Sequence, residues 1–262
     1  MNGPVRRQTT LRKVRSTLLN VLPDSMRLWL RRQKKDAEYL VSGKWRQPFG
    51  ELRGMRPFRR TFGWGHGQCI DRYYIENFLQ KCSSDICGRV VEIADNNYTL
   101  QFGGERVTQS DVLHVVAGNP QATIVGDLSV EGVETIPSNA FDCVILTQTL
   151  ETIYELRPTI RNLFRILKPG GVVLATVPGI RNVQRYDMDR WGEYWRFTTL
   201  TMIKLFTDVF PAANVEVASH GNLLTTISFM HGFVAQEMTR EELDHNDQDY
   251  QLLITVRAEK PD

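Results

Sequence analysis

The residues of this 262-residue chain that could do chemistry stand at the ends of short apolar runs. Glu92 closes GRVVEI (88–93), Asp127 follows the run 122–125, and Thr147 and Gln148 follow Val144, Ile145 and Leu146. If these runs are strands of an open parallel sheet, all these side chains fall at its carboxyl edge, where such sheets bind ligands. A further run, DVLHVV (111–116), has Asp111 at its start and His114 nearer its end. A different chemistry is written into GIRNVQRYDMDRWGEYWRFTTL (179–200). There Tyr186, Trp191, Tyr194, Trp195 and Phe197 are interleaved with Asp187, Asp189, Arg190, Glu193 and Arg196. Rings with polar tips stack on sugars or flat rings, and acids among them can orient or deprotonate a hydroxyl. A lid packed on the domain is the bland alternative. Asp187, and His220 just after a strand run, are the candidate bases. Cys69, Cys82, Cys87 and Cys143 form no pair of CxxC motifs and have no histidines at zinc spacing, so free thiols are expected and no metal site.

The elements that must position these residues centre on 141–178. An apolar strand there is followed by a helix pattern with Ile160, Leu163, Phe164 and Leu167 on one face and Arg161, Arg165 and Lys168 on the other. Pro169-Gly170-Gly171 is expected to stop that helix, with glycine in the left-handed cap, and Val172 to Val177 to form a second buried strand. Strand, helix and strand with both strands apolar on each face make a βαβ unit. Upstream, Gly63-x-Gly65-x-Gly67 follows Arg59-Arg60-Thr61 rather than an apolar strand, so it is not a dinucleotide fingerprint. A helix is expected over 70–81. Asn119-Pro120 leaves no room for a helix between the second and third strands. Downstream come a helix over 200–210 capped by Thr199, a strand over 215–219, an apolar helix over 222–238 and a final alternating strand over 250–258.

FDCVILTQTLETI followed by LFRILKPGGVVLATVP resembles the fourth strand, following helix and fifth strand of class I S-adenosylmethionine-dependent methyltransferases. LKPGG is specific to them, and the likeness covers about residues 62–258. It implies an α/β fold with a Rossmann-like seven-stranded, mostly parallel sheet, an antiparallel last strand, and S-adenosylmethionine as cofactor. By the same likeness Arg72 and Tyr73 would meet the methionine carboxylate. The family's Gly-x-Gly-x-Gly loop after the first strand is replaced by Ala94-Asp95-Asn96-Asn97-Tyr98. Ala94 is small enough for close approach, while Asp95 and Asn96 tolerate unusual backbone angles. An acid near the end of the second strand would take the ribose hydroxyls, a role open to Asp111 or His114. Asp127 and the Leu128 amide would meet adenine. Thr147 and Gln148 would face the cofactor and the donated methyl, although Gln148 replaces a more common His, Ser or Glu. The segments 62–79 and 185–200 resemble a bacterial, type 11-like subgroup that often accompanies glycosyltransferases. That implies a glycan or secondary-metabolite hydroxyl as acceptor, bound by Tyr186, Asp187, Trp191 and Tyr194. A non-catalytic scaffold that kept the fold and lost the cofactor is the rival reading. A nicotinamide enzyme would need G-x-G-x-x-G after the first strand, and that is absent.

The net charge of +2 hides an asymmetry. Residues 1–60 carry 16 Lys and Arg against 4 Asp and Glu, a net of +12, so the remainder is −10. The chain is therefore divided into a basic helical arm and linker over 1–60 and a methyltransferase-like domain over 61–262. Short amphipathic helices are expected over 11–22 and 26–39. Through residues 1–40 such an arm could lie on an anionic membrane surface or grip a polyanion, and packing on the domain is the plainer alternative. No aromatic–basic interleaving points to nucleic acid. No apolar run reaches bilayer length and no signal-peptide pattern opens the chain, so a cytoplasmic protein is expected.

Overall fold

The structure, a computed structural model, describes residues 55–262. The arm helices expected over 11–22 and 26–39, and the linker up to residue 54, lie outside the described residues. Arg59, expected in the linker, belongs to the compact unit Arg56–Asp262. Its amide donates to the His231 carbonyl at 2.9 Å, and its guanidinium forks onto Glu237 at 2.8 and 2.9 Å.

Seven strands form one sheet: β1 (Gly88–Ile93), β2 (Val107–His114), β3 (Ile124–Val125), β4 (Phe141–Thr147), β5 (Leu167–Pro178), β6 (Val215–His220) and β7 (Leu253–Glu259). Their order is β3-β2-β1-β4-β5-β7-β6. The first five run parallel, and β7 runs antiparallel to both β5 and β6. β4 and β5 are the runs of continuous Val, Ile and Leu because they are central and covered on both faces. Their side chains alternate between two buried clusters. Val144, Leu146, Val173 and Ala175 pack with helices α2 (Leu156–Ile166) and α4 (Thr199–Thr207). Cys143, Ile145, Val172 and Leu174 pack on the other face with α1 (Ile70–Lys81) and α5 (Leu223–Met230). Two shorter helices, α3 (Arg185–Met188) and α6 (Arg240–Asp244), complete the set among the described residues. No helix among the described residues is long and apolar enough to cross a membrane.

The sheet grows outward from β1 in one direction through β2 and β3, and in the other through β4 and β5. This reversal opens a crevice beyond the carboxyl ends of β1 and β4.

Several expected boundaries shift for physical reasons. α2 ends at Ile166, because Leu167 is already extended (ψ 141°) and pairs with Phe141. Pro169-Gly170-Gly171 is thus an irregularity inside β5, and the left-handed Gly170 (φ +72°) does not cap the helix. Thr198, not Thr199, caps α4, its hydroxyl accepting from the Thr201 amide. α5 stops at Met230, since Gly232 turns in the left-handed region and packs against the Arg59 backbone. β2 starts at Val107, four residues early, and a π-type turn over Thr99–Gly103 links β1 to it.

Candidate functional site

A cleft of about 610 Å³ lies beyond the carboxyl ends of the parallel strands. Glu92, Ala94 and Asp95 reach it from the end of β1, and His114 from the end of β2. Asp127 and Leu128 follow β3, and Thr147 and Gln148 follow or end β4. Arg72 reaches it from α1, while Tyr186, Asp187, Trp191 and Tyr194 form its rim.

The turn after β1 substitutes for the missing glycines in an unexpected place. Ala94 itself, rather than Asp95 or Asn96, takes the left-handed conformation at φ +72°. A side chain there costs about 1 kcal/mol or more. Its neighbours hold it: the Ala94 amide donates to the Leu113 carbonyl at 3.0 Å, and its carbonyl accepts from Asn119 Nδ2 at 2.6 Å. Asp95 Oδ1 accepts from the Asn97 amide at 3.0 Å and starts the helical turn. Glu92, 3% exposed, accepts from the Tyr98 amide at 3.2 Å and from the Thr99 amide and hydroxyl at 2.7 and 2.8 Å. Burial pushes its carboxyl up to about 7 against the pull of those donors. Arg72 Nη1 donates to the Tyr98 hydroxyl at 3.0 Å across the same turn.

On the next wall Asp127 Oδ1 accepts from the Ser129 amide at 2.8 Å. The irregular chain beyond it is held by α2. Asn162 Nδ2 donates to the Leu128 and Val130 carbonyls at 2.8 and 2.7 Å. Arg165 donates to the Ile136 carbonyl at 2.9 Å, to the Val133 carbonyl at 2.8 Å and to Ser138 Oγ at 2.7 Å. The helix face opposite the apolar stripe is therefore partly a bracket for the cleft wall. An asparagine beside an apolar stripe, opposite a segment with no ladder of its own, was the available signal.

Gln148 is a second non-glycine residue in the left-handed region, at φ +47°. Its amide donates to the Thr176 carbonyl at 2.9 Å, and its Oε1 accepts from Arg181 Nη1 at 2.9 Å. Arg181 Nη2 also meets Glu151 Oε1 at 3.3 Å and pairs closely with Glu193. Glu193 in turn takes the Gln184 amide at 2.8 Å and Arg196 at 3.1 Å. Burial pushes the Glu151 carboxyl up to about 7, with Arg181 opposing. Two buried carboxylates thus share one buried guanidinium, a cluster that joins residues too far apart in sequence to be paired by spacing.

The aromatic rim is docked on the turn after β4. The Tyr194 amide donates to the Glu151 carbonyl at 2.7 Å, and Trp195 Nε1 to the Ile153 carbonyl at 3.0 Å. Tyr154, which the sequence did not single out, stacks on Trp195 at 5.7 Å and meets Tyr194 edge-on at 5.4 Å. His114 meets Trp191 edge-on at 5.6 Å. Asp187 is half-buried, which raises its carboxyl above the usual range, opposed by Arg181.

Three expected positions lie off the cleft. Tyr73 donates to Asp244 Oδ1 at 2.5 Å on the outer side of α1. Asp111 is spent inside the sheet, taking Arg89 Nε at 2.7 Å and the Thr123 hydroxyl at 2.8 Å. His114, three residues later at the strand end, reaches the cleft instead. His220 ends β6, the outermost strand, with β7 and β5 between it and the crevice. Its ring stacks on Tyr74, its Nε2 lies 3.0 Å from Thr255 Oγ1, and burial pushes it down to about 4. No cluster of potential metal ligands occurs among the described residues.

A family model described as a methyltransferase domain matches residues 40–218, more than half of the chain. The chain is 29% identical over 91 residues to the ubiquinone/menaquinone biosynthesis C-methyltransferase of Salmonella arizonae, 34% of this chain and 32% of that protein. It therefore spans about a third of the length of the curated relatives it matches. Among solved structures it is similar to an S-adenosylmethionine-dependent methyltransferase from Archaeoglobus fulgidus, with 12% identity and a TM-score of 0.47 over 72% of this chain and 94% of that one. It is also similar to the N-methyltransferase NodS from Bradyrhizobium japonicum in complex with S-adenosyl-L-homocysteine, with 15% identity and a TM-score of 0.47 over 74% and 89%. With the match over residues 40–218 taking in the strands that carry this cleft, the chain belongs to the methyltransferase-domain family.

Proposed function

We propose that this enzyme methylates a hydroxyl oxygen on a small ring-bearing acceptor, a glycan or a secondary metabolite. The observation that carries the reading is the junction of two kinds of wall in one cleft. Backbone turns and carboxylates at the strand ends continue directly into the exposed rings of Tyr186, Trp191 and Tyr194.

The donor set fits an adenosyl cofactor. Asp127 keeps its Oδ2 free of bonds among the described residues and would take the adenine amino group, beside the Leu128 amide. His114 would meet the ribose, Arg72 the methionine carboxylate, and Ala94 with Asp95 the ammonium end. When bound, the cofactor supplies a methyl group already activated on a sulfonium. What the chain would add is alignment of the acceptor oxygen against Thr147 and Gln148, facing the methyl that the sulfonium would give up. The hydroxyl proton would pass to water at the open mouth of the cleft, and Asp187, also a candidate base, is assigned to acceptor binding with the rim. No role is left for His220.

Incubation with methyl-labelled cofactor and candidate glycans or metabolites, read by mass spectrometry, tests the reading: label on an oxygen supports it. The rival, a scaffold without catalysis, draws on the strained Ala94 where glycine would serve. Calorimetric titration with S-adenosylhomocysteine separates the two, because a scaffold would give neither heat nor thermal stabilisation. The basic segment over 1–40 is proposed to touch an anionic membrane surface or polyanion, supported by its charge excess. Sedimentation with anionic vesicles checks this.

A further inference from the structure

The charges facing the cleft are lopsided. Among the described residues Glu92, Asp95, Asp127, Glu155 and Asp187 line it, against a single lysine or arginine, Arg72. Three of these carboxylates are engaged by backbone amides of their own turns: Glu92 by Tyr98 and Thr99, Asp95 by Asn97, and Asp127 by Ser129. Arg72 is turned to the Tyr98 hydroxyl. Asp187 and Glu155 differ from the rest: among the described residues, neither side chain has a hydrogen bond or an ion pair. Both stand at the rim with Tyr154, Tyr186, Trp191 and Tyr194, rings that are 62%, 61%, 41% and 53% exposed.

Carboxylates and ring faces attract the same kind of ligand. An aromatic face carries negative quadrupole charge and draws cations, most strongly for ammonium groups shielded from water. A half-buried carboxylate without a partner is destabilised, and an incoming cation relieves that cost. An anionic group would meet both repulsions at once. One ring already takes a cation: the Arg190 guanidinium lies 3.6 Å from the Tyr186 centroid, from outside the cleft lining. That leaves Tyr154, Trp191 and Tyr194 to face a ligand.

We infer that the acceptor carries a basic amine, held as an ammonium among Tyr154, Trp191 and Tyr194 and against Asp187 and Glu155. The methylated hydroxyl and the amine are then different parts of one molecule, as in an amino sugar or a hydroxylated arylalkylamine. This rests on the reading of the cleft as the methyl-transfer site and narrows its substrate class.

The test uses the full chain saturated with S-adenosylhomocysteine and three phenols that differ in the charge of their tails. These are tyramine (cationic), 4-ethylphenol (neutral) and 4-hydroxyphenylacetate (anionic), each titrated calorimetrically. Tyramine should bind best, ahead of the anionic probe by roughly fivefold or more. The double substitution Asp187→Asn with Glu155→Gln should shrink that preference to near parity, with an unchanged melting temperature showing that the fold survives. Equal or tighter binding of the anionic probe overturns the inference. So does a preference that survives the double substitution, or binding of none of the three at millimolar concentration. Failure of S-adenosylhomocysteine itself to bind takes down the methyl-transfer reading and this inference with it. Its binding followed by the wrong ranking takes down only the amine.

Discussion

The two halves of the cleft are held by different forces. The half formed by the turns after β1 and β3 is tied by short-range bonds to backbone groups, with Asn119 and Asn162 satisfying carbonyls and Glu92 and Asp127 satisfying amides. The half formed by the rim hangs on a buried charge cluster, in which Arg181 faces Glu151 and Glu193 and also fixes Gln148. Bonds of the first kind close short turns onto their own backbone, and Glu92, pushed up to about 7, is where pH reaches them. A buried cluster in which one guanidinium serves two acids is poised, because losing it leaves Glu151 without a cation and Glu193 with Arg196 alone. The wall assigned to the cofactor is thus rigid by construction, and the wall assigned to the acceptor depends on electrostatics.

The sharpest way to break this contrast is Arg181→Met. It strands Glu151 in the interior, leaves Glu193 to Arg196 alone, and should cost about 3–5 kcal/mol in denaturant unfolding. Loss no larger than a surface substitution would show that the cluster does not hold the rim. Next is pH. Glu151 moves from an ordinary 4.5 up to about 7 in the folded protein, so the folded state holds its proton more tightly. Its contribution is therefore full below pH 4.5 and is lost as pH rises toward about 7, on the order of 2 kcal/mol. Glu151→Gln should reduce the slope of melting temperature across that window, leaving the share due to Glu92, which is raised in the same way, and Asn162→Ala should leave the slope intact. Asn162→Ala should cost about 2 kcal/mol by removing two buried bonds to carbonyls, and should weaken S-adenosylhomocysteine binding, measured calorimetrically. The smallest effect has the opposite sign. Ala94→Gly relieves a left-handed alanine and should stabilise by about 1 kcal/mol or less in thermal melts, because added freedom in the unfolded chain offsets part of the gain.

Much of the sheet was legible from hydrophobicity alone. α1 and β1 fall on the expected residues, because their apolar patterns are uninterrupted and bounded by turn formers. β2 was read too short because its first half carries Thr108, Gln109 and Ser110. β3 pairs only with Leu113 and His114, which leaves that first half without a neighbour on its outer side and free to be polar. The strand-end residues of the cleft were legible for a related reason: a strand's end marks the sheet's edge whatever its neighbours are. The order of strands was not, and His220 shows the cost, since an end of β6 reads like an end of β4. The Arg181 cluster and the Asn162 bracket join segments some 30 residues apart through single side chains. No periodicity announces such contacts.

The placement of β7 also bears on synthesis. Residues 253–259 slot between β5 and β6, pairing with β5 over Val172 to Pro178 and with β6 over Val215 to His220. On the ribosome β6 therefore emerges before β7, the strand it pairs with among the described residues. A nascent chain stalled ahead of residue 253 would present two open strand margins at once, a window for mispairing that closes only when the last stretch leaves the exit tunnel.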